Sequence, residues 1–270
     1  MTLTFTKKEL STLLNSLSMF IISYLFLKIM LILVKMVLAY AQGIETTMNN
    51  FTLWGISAAN SGVWNFRSVL SFYSSELITI LIFMVASFVT YKKHVGEKGF
   101  IKFFSFWIFV TSVLIFNGLL TSGIITKSNV FHFFDWLYLS YSDILIIGLA
   151  AIFITLALGL ILNKYFLKFR ASNRRKPISN IYGLLKAYLI TNTIPIFAGI
   201  FILYLPFWKS FHKYDFIEIA TYILFVLSGL LLTSKSYSKK IHFDNISQVN
   251  GYLVSAACIS YCIFYIFSMN

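Results

Sequence analysis

Proline is almost missing from this chain: Pro177, Pro195 and Pro206 are the only three in 270 residues. With 13 glycines beside them and mostly short connections, no Pro/Gly-rich linker divides the sequence, which reads as one domain over 1–270. Charge is scarce as well, at 11% against roughly 25% for soluble domains, and this excludes a chain that mostly faces water. Cysteine is limited to Cys258 and Cys262, four apart in an apolar run. Such a pair stacks along one helix face, which excludes a disulfide between them and leaves packing as their expected role. Also missing are a Gly-rich phosphate loop with lysine, His-Glu-x-x-His, Gly-x-Ser-x-Gly and a paired-aspartate motif. Familiar membrane hydrolases lose support accordingly.

What is present is apolar: 59% of residues, 19% aromatic, arranged in runs of about 20, the length that crosses a hydrocarbon layer of roughly 30 Å. The runs cover Leu13 to Ala41, Phe72 to Tyr91, Ile101 to Ile125, Leu137 to Asn163, Leu184 to Phe207, Phe216 to Thr233 and Tyr252 to Ser268. The expectation is an all-α, polytopic transmembrane bundle of about seven spans, or six, because the last two runs are short. The first run is much longer than a signal-peptide core and lacks a small-x-small cleavage site, so it reads as a mature span. The segment Gln42 to Ser71, with Trp54, Trp64 and Phe66, suits a short helix lying at headgroup level. It also contains the glycosylation-type triplet Asn50-Phe51-Thr52, which has a meaning only in a eukaryotic secretory setting.

The net charge is +13, yet the basic residues sit in the gaps between runs and form no continuous face, so nucleic acid is not an expected partner. They act as orientation signals instead. With the N-terminus cytoplasmic and the C-terminus outside, 16 of the 22 Lys and Arg residues fall in inner segments, and only Arg67, Lys127, Lys209 and Lys213 fall outside. The densest inner patch, Lys164 to Lys176, reads as an anchor at the bilayer surface. Glu45, Glu76, Asp135, Asp143, Asp215 and Glu218 fall on the outer side or in the outer ends of spans.

Ionisable residues inside the runs carry the functional reading, since each costs at least about 2.5 kcal/mol in the hydrocarbon unless partnered. Lys28 lies near the middle of the first run, and Lys35 is seven residues further along the same face. Glu76, Asp143 and Glu218 are expected at about the depth of Lys35, so a Lys35 pair with Glu76 or Asp143 is anticipated. The fifth run reads Thr191-Asn192-Thr193-Ile194-Pro195, where an interior proline frees a carbonyl and Asn192 adds a polar side chain. Asn117, followed by Gly118, is a comparable polar spot suited to bonding across helices. A second pattern is His-x-x-Asp, present twice as His132 with Asp135 and His212 with Asp215. On helices these pairs would offer two imidazoles and two carboxylates to a divalent metal, the one cofactor the sequence suggests.

The expected class is therefore a non-enzymatic protein of a bilayer: a transporter or permease component, or a subunit of a membrane assembly, with other membrane subunits or an ATPase as partners. The alternatives are a metal-dependent hydrolase at the outer face and a structural or immunity-type protein with no site, whose ion pairs only fix helix packing. A composition rich in Phe, Ile and Lys, with basic loops, suits a bacterial inner membrane.

Overall fold

The computed structural model describes residues 6–44, 46–49, 55–58, 66–93, 100–128, 130–168, 181–205, 213–233 and 251–269. The elements are α1 (Lys7–Ala41), β1 (Thr46–Asn49), β2 (Gly55–Ala58), α2 (Phe66–Lys93), α3 (Phe100–Thr126), α4 (Val130–Trp136), α5 (Tyr141–Lys168), α6 (Ile181–Tyr188), α7 (Ile194–Tyr204), α8 (Lys213–Thr233) and α9 (Gly251–Met269). A π-helical turn, Leu189–Thr193, joins α6 to α7. Among the described residues, six helical units are long and apolar enough to cross a membrane: α1, α2, α3, α5, the joined α6 and α7, and α8. The seventh run forms α9, a helix of 19 residues that packs on α1.

Local chemistry sets the ends of these helices. Thr6 caps α1 through a reciprocal box in which the Glu9 backbone N–H donates to the Thr6 hydroxyl and the Thr6 N–H donates to Glu9. At the other end Gly43 adopts φ 66° and its N–H bonds the Tyr40 carbonyl, while the Ile44 N–H reaches back to Ala39. This is a Schellman stop, and the accompanying apolar contact joins Ala39, Ile44 and Phe72.

Three expectations need correction. The Gln42 to Ser71 segment contains, among its described residues, an antiparallel two-stranded ribbon pairing Thr46 with Ala58 and Asn49 with Gly55, where a helix was expected. Trp54, Trp64 and the Asn50-Phe51-Thr52 triplet lie outside the described residues. The fourth span begins at Tyr141, four residues later than its apolar run. Tyr138 takes φ 57°, and Ser140 then caps α5 by exchanging bonds with Asp143. Cys258 and Cys262 are both exposed on α9, so they pack no core.

Successive spans run in alternating directions. Where α1 ends, α2 begins, and there Lys35 meets Glu76 at 2.9 Å. Where α2 ends, Tyr91 contacts Phe106 near the start of α3. At the end where α1 begins, Lys186 of α6 bonds Glu9 at 2.9 Å. The helix α3 occupies the centre, with 83% of its apolar stretch buried, whereas α5 buries 28% and presents the rest outward. Trp107, Phe20, Phe106, Phe166 and Phe225 interlock edge to face in the half nearer the start of α1. Those ring contacts add roughly 0.5–1.5 kcal/mol each beyond the area they bury. Helix α8 lies against α5 because Gly159 carries no side chain: a methyl there would strike the Phe225 carbonyl and the Ser228 hydroxyl.

Candidate functional site

Lys28 is 3% exposed and Glu218 is 1% exposed, both in the interior of the helix bundle. Buried to this degree, each charge depends on the other. The Lys28 ammonium lies 3.1 Å from Glu218 Oε1 and donates to Oε2 at 3.4 Å. Tyr24, one turn before Lys28 on α1, donates to Oε1 at 3.4 Å, and its ring lies 5.4 Å from the ammonium. Tyr222, one turn after Glu218 on α8, donates to the same oxygen. Tyr204, at the end of α7, stands 2.6 Å from the Tyr24 hydroxyl, and either oxygen can donate. One carboxylate thus gathers an ammonium and two phenols, with a third phenol behind them.

The backbone makes the room for this. On α3, Gly118 faces Glu218 so closely that an added Cβ would come within 2.8 Å of its Cγ. Thr221, bonded to the Glu218 carbonyl, sits beside the same glycine. Asn117, expected to bond across helices, instead donates to the Val113 carbonyl of its own helix. The glycine next to it is what brings α3 and α8 together.

A second ion pair joins α1 to α2. Lys35 and Glu76 are 1% and 7% exposed, and the Lys35 ammonium also lies 4.6 Å from the Phe72 ring centre. Asp143, the other anticipated partner, reaches neither lysine: it is exposed and serves the cap of α5. Glu218 does not match Lys35 in depth either. It meets Lys28, about 10 Å further along α1 at 1.5 Å per residue.

No known family accompanies these observations. Comparison with family models, curated proteins and solved structures finds no match to the chain. The site is therefore read from its own chemistry.

The remaining candidates fall elsewhere. Asn192 is buried in the π turn and donates to the Tyr188 hydroxyl, which in turn donates to the Val226 carbonyl at 3.4 Å. The turn accommodates Pro195 at the start of α7, and Thr191 bonds the Ala187 carbonyl within it. His132 and Asp135 are exposed on α4, with His132 against the Tyr73 ring at 5.5 Å. Asp215 is buried in the first turn of α8, and His212 lies outside the described residues. Among the described residues no three His, Cys, Asp or Glu side chains come together. The basic stretch at 169–180 also lies outside them.

The tyrosines are what sequence reading missed. Their signal was the spacing: Tyr24 with Lys28 and Glu218 with Tyr222 are each four apart, one above the other on a helix face.

Proposed function

We propose that the protein is a component of a membrane transporter whose working element is the Lys28–Glu218 pair with Tyr24, Tyr204 and Tyr222. The observation that carries this reading is the burial of both charges inside a bundle of helices long and apolar enough to cross a membrane. A buried ion pair is a poor structural fastener, because well-packed apolar residues of similar volume often hold a fold as well or better. Charges at this depth belong instead to ion, proton or substrate paths. The π turn ahead of Pro195 supports the same reading, because single π turns inside helices recur at functional sites. The distribution of Lys and Arg favours a bacterial cytoplasmic membrane with the start of α1 inside, and a partner subunit or ATPase is part of the proposal.

Opening of the core tests it. Thr221→Cys, in a Cys258→Ser/Cys262→Ser background, places a thiol beside Glu218. A membrane-impermeant thiol reagent is then applied to right-side-out and inverted vesicles. A transporter exposes this position to solution from at least one side, and labelling is expected. A thiol that stays unlabelled from both sides marks a static subunit and sinks the proposal.

A further inference from the structure

Helix α2 leaves one side of the bundle open. Against α1 it forms a groove lined by Val34, Leu38, Ser74 and Thr79 and rimmed by Ile78 and Ile82. The groove ends where Phe83 meets Phe26 edge to face at 5.4 Å. From Ser68 to Tyr91 the only charged residue of α2 is Glu76, and it is paired with Lys35, so this face carries no charge. Beside the groove Ile78, Ile82, Val85 and Val89 form a ridge, each more than half exposed, with the four-three-four spacing of a helix-pair seam. Ser75, Ser87 and Thr90 bond carbonyls of their own helix. Ser74 and Thr79, each 7% exposed, do not: neither hydroxyl has a hydrogen-bond partner among the described residues. Thr79 stands midway along α2, about 20 Å from either end at 1.5 Å per residue. In a membrane that is the middle of the hydrocarbon, where lipid tails offer no acceptor and headgroups do not reach. What satisfies a hydroxyl there is another helix.

We propose that this helix is the α2 of a second copy, and that the protein is a homodimer in which Ile78 and Ile82 of each copy seat in the α1–α2 groove of the other. Copies inserted in the same orientation hold α2 at one depth, so Thr79 meets its own counterpart across the twofold axis. A hydroxyl both donates and accepts, and such a pair therefore satisfies itself. Groove and ridge lie side by side on one face, which is the self-complementary surface that a twofold contact requires. The row Ser71, Ser75 and Thr79, four apart, keeps side chains small where the two backbones approach, and membrane helices associate through small residues and bonds between hydroxyls. The charges nearest the contact, Arg67 at one end of α2 and Lys92 and Lys93 at the other, are exposed. Their like-sign repulsion is screened there by salt. The dimer is independent of the transporter reading.

Energy transfer between copies in lipid vesicles tests this. The full chain, with Cys258→Ser/Cys262→Ser and a dye on Lys7→Cys at the exposed start of α1, is reconstituted as an equal mixture of donor-labelled and acceptor-labelled protein and diluted with phosphatidylcholine. Transfer should exceed the chance level of a monomeric membrane protein and fall away on dilution. T79V keeps the shape of the side chain and removes only the hydroxyl. Its melting temperature should be unchanged, while the protein density at half transfer rises about 3- to 20-fold, the worth of a hydroxyl bonded between membrane helices. I82W alters a residue 61% exposed, which spares the fold, and should abolish transfer by filling the seat. F153W, at a site 69% exposed on α5, should leave transfer as it is. Chance-level transfer at every density overturns the proposal and leaves the groove to lipid or to a different protein. T79V or I82W matching wild type, or F153W failing as I82W does, overturns it too, because the copies then meet elsewhere. The labelling of Thr221→Cys decides the transporter reading whichever way the dimer falls.

Discussion

Lys28 shows how unequal the two members of a buried pair become once one is taken away. Replacing it with methionine keeps most of the volume but leaves Glu218 as an ion with only phenols for company. We expect K28M to lose about 3–5 kcal/mol of stability, the range for an orphaned buried charge. The double variant K28M/E218L removes both ions and should recover much of that loss. Thermal unfolding in detergent measures both, and a double variant no more stable than K28M would mean that the pair itself holds the helices. Lys35 and Glu76 form a separate pair between α1 and α2, so changes there should add to those at Lys28. Both lysines were legible in the sequence because a charge inside an apolar run stands out. Their partners were not, because depth counted along a run does not rank Glu76, Asp143 and Glu218 against one another. Tyrosine in an apolar helix reads as an interfacial residue, and only the packing of α1, α7 and α8 turns three of them inward.

At the scale of elements, the helices meet where side chains are missing. Gly159 of α5 rests on the Phe225 carbonyl of α8, and a backbone group cannot swing aside as a side chain does. Gly159→Ala should therefore push the two helices apart at about 1–3 kcal/mol. Adding Ser228→Ala should not restore the loss, since the carbonyl remains. An unchanged melting temperature for Gly159→Ala would show that α5 and α8 are less tightly apposed than described. The spans themselves were readable because runs near 20 apolar residues have few other uses. Their ends were less so. Leu137 to Ser140 count as apolar or neutral, but Tyr138 turns the backbone and Ser140 caps, and this moved Asp143 from the interior to the first turn of α5. Pro195 announced a break, while the form it takes, a π turn that keeps the helix continuous, depends on Thr191 and Asn192 finding partners within reach.

For the whole molecule, alternating helices and basic loops together fix an expected orientation. A reporter enzyme active only outside the cytoplasm, fused within 94–99, should be silent, and one fused after α9 should be active. A fusion at 234–250 should be silent as well, so activity that stays off after α9 would mean that α9 lies along the membrane and the spans number six. The closing of the Lys28–Glu218 contact also has a schedule. The two residues stand 190 positions apart, and Glu76 only 41 from Lys35. At 5–20 residues per second, Lys35 waits about 2 to 8 s for its partner to be made, and Lys28 about 10 to 40 s. By the end of that interval most of the chain exists, and until then α1 carries Lys28 into a growing bundle ahead of Glu218. The first helix to be synthesised is thus among the last to settle, and whatever shelters its charge meanwhile, a bent side chain reaching the surface or the insertion machinery itself, governs how much of the protein reaches its finished form.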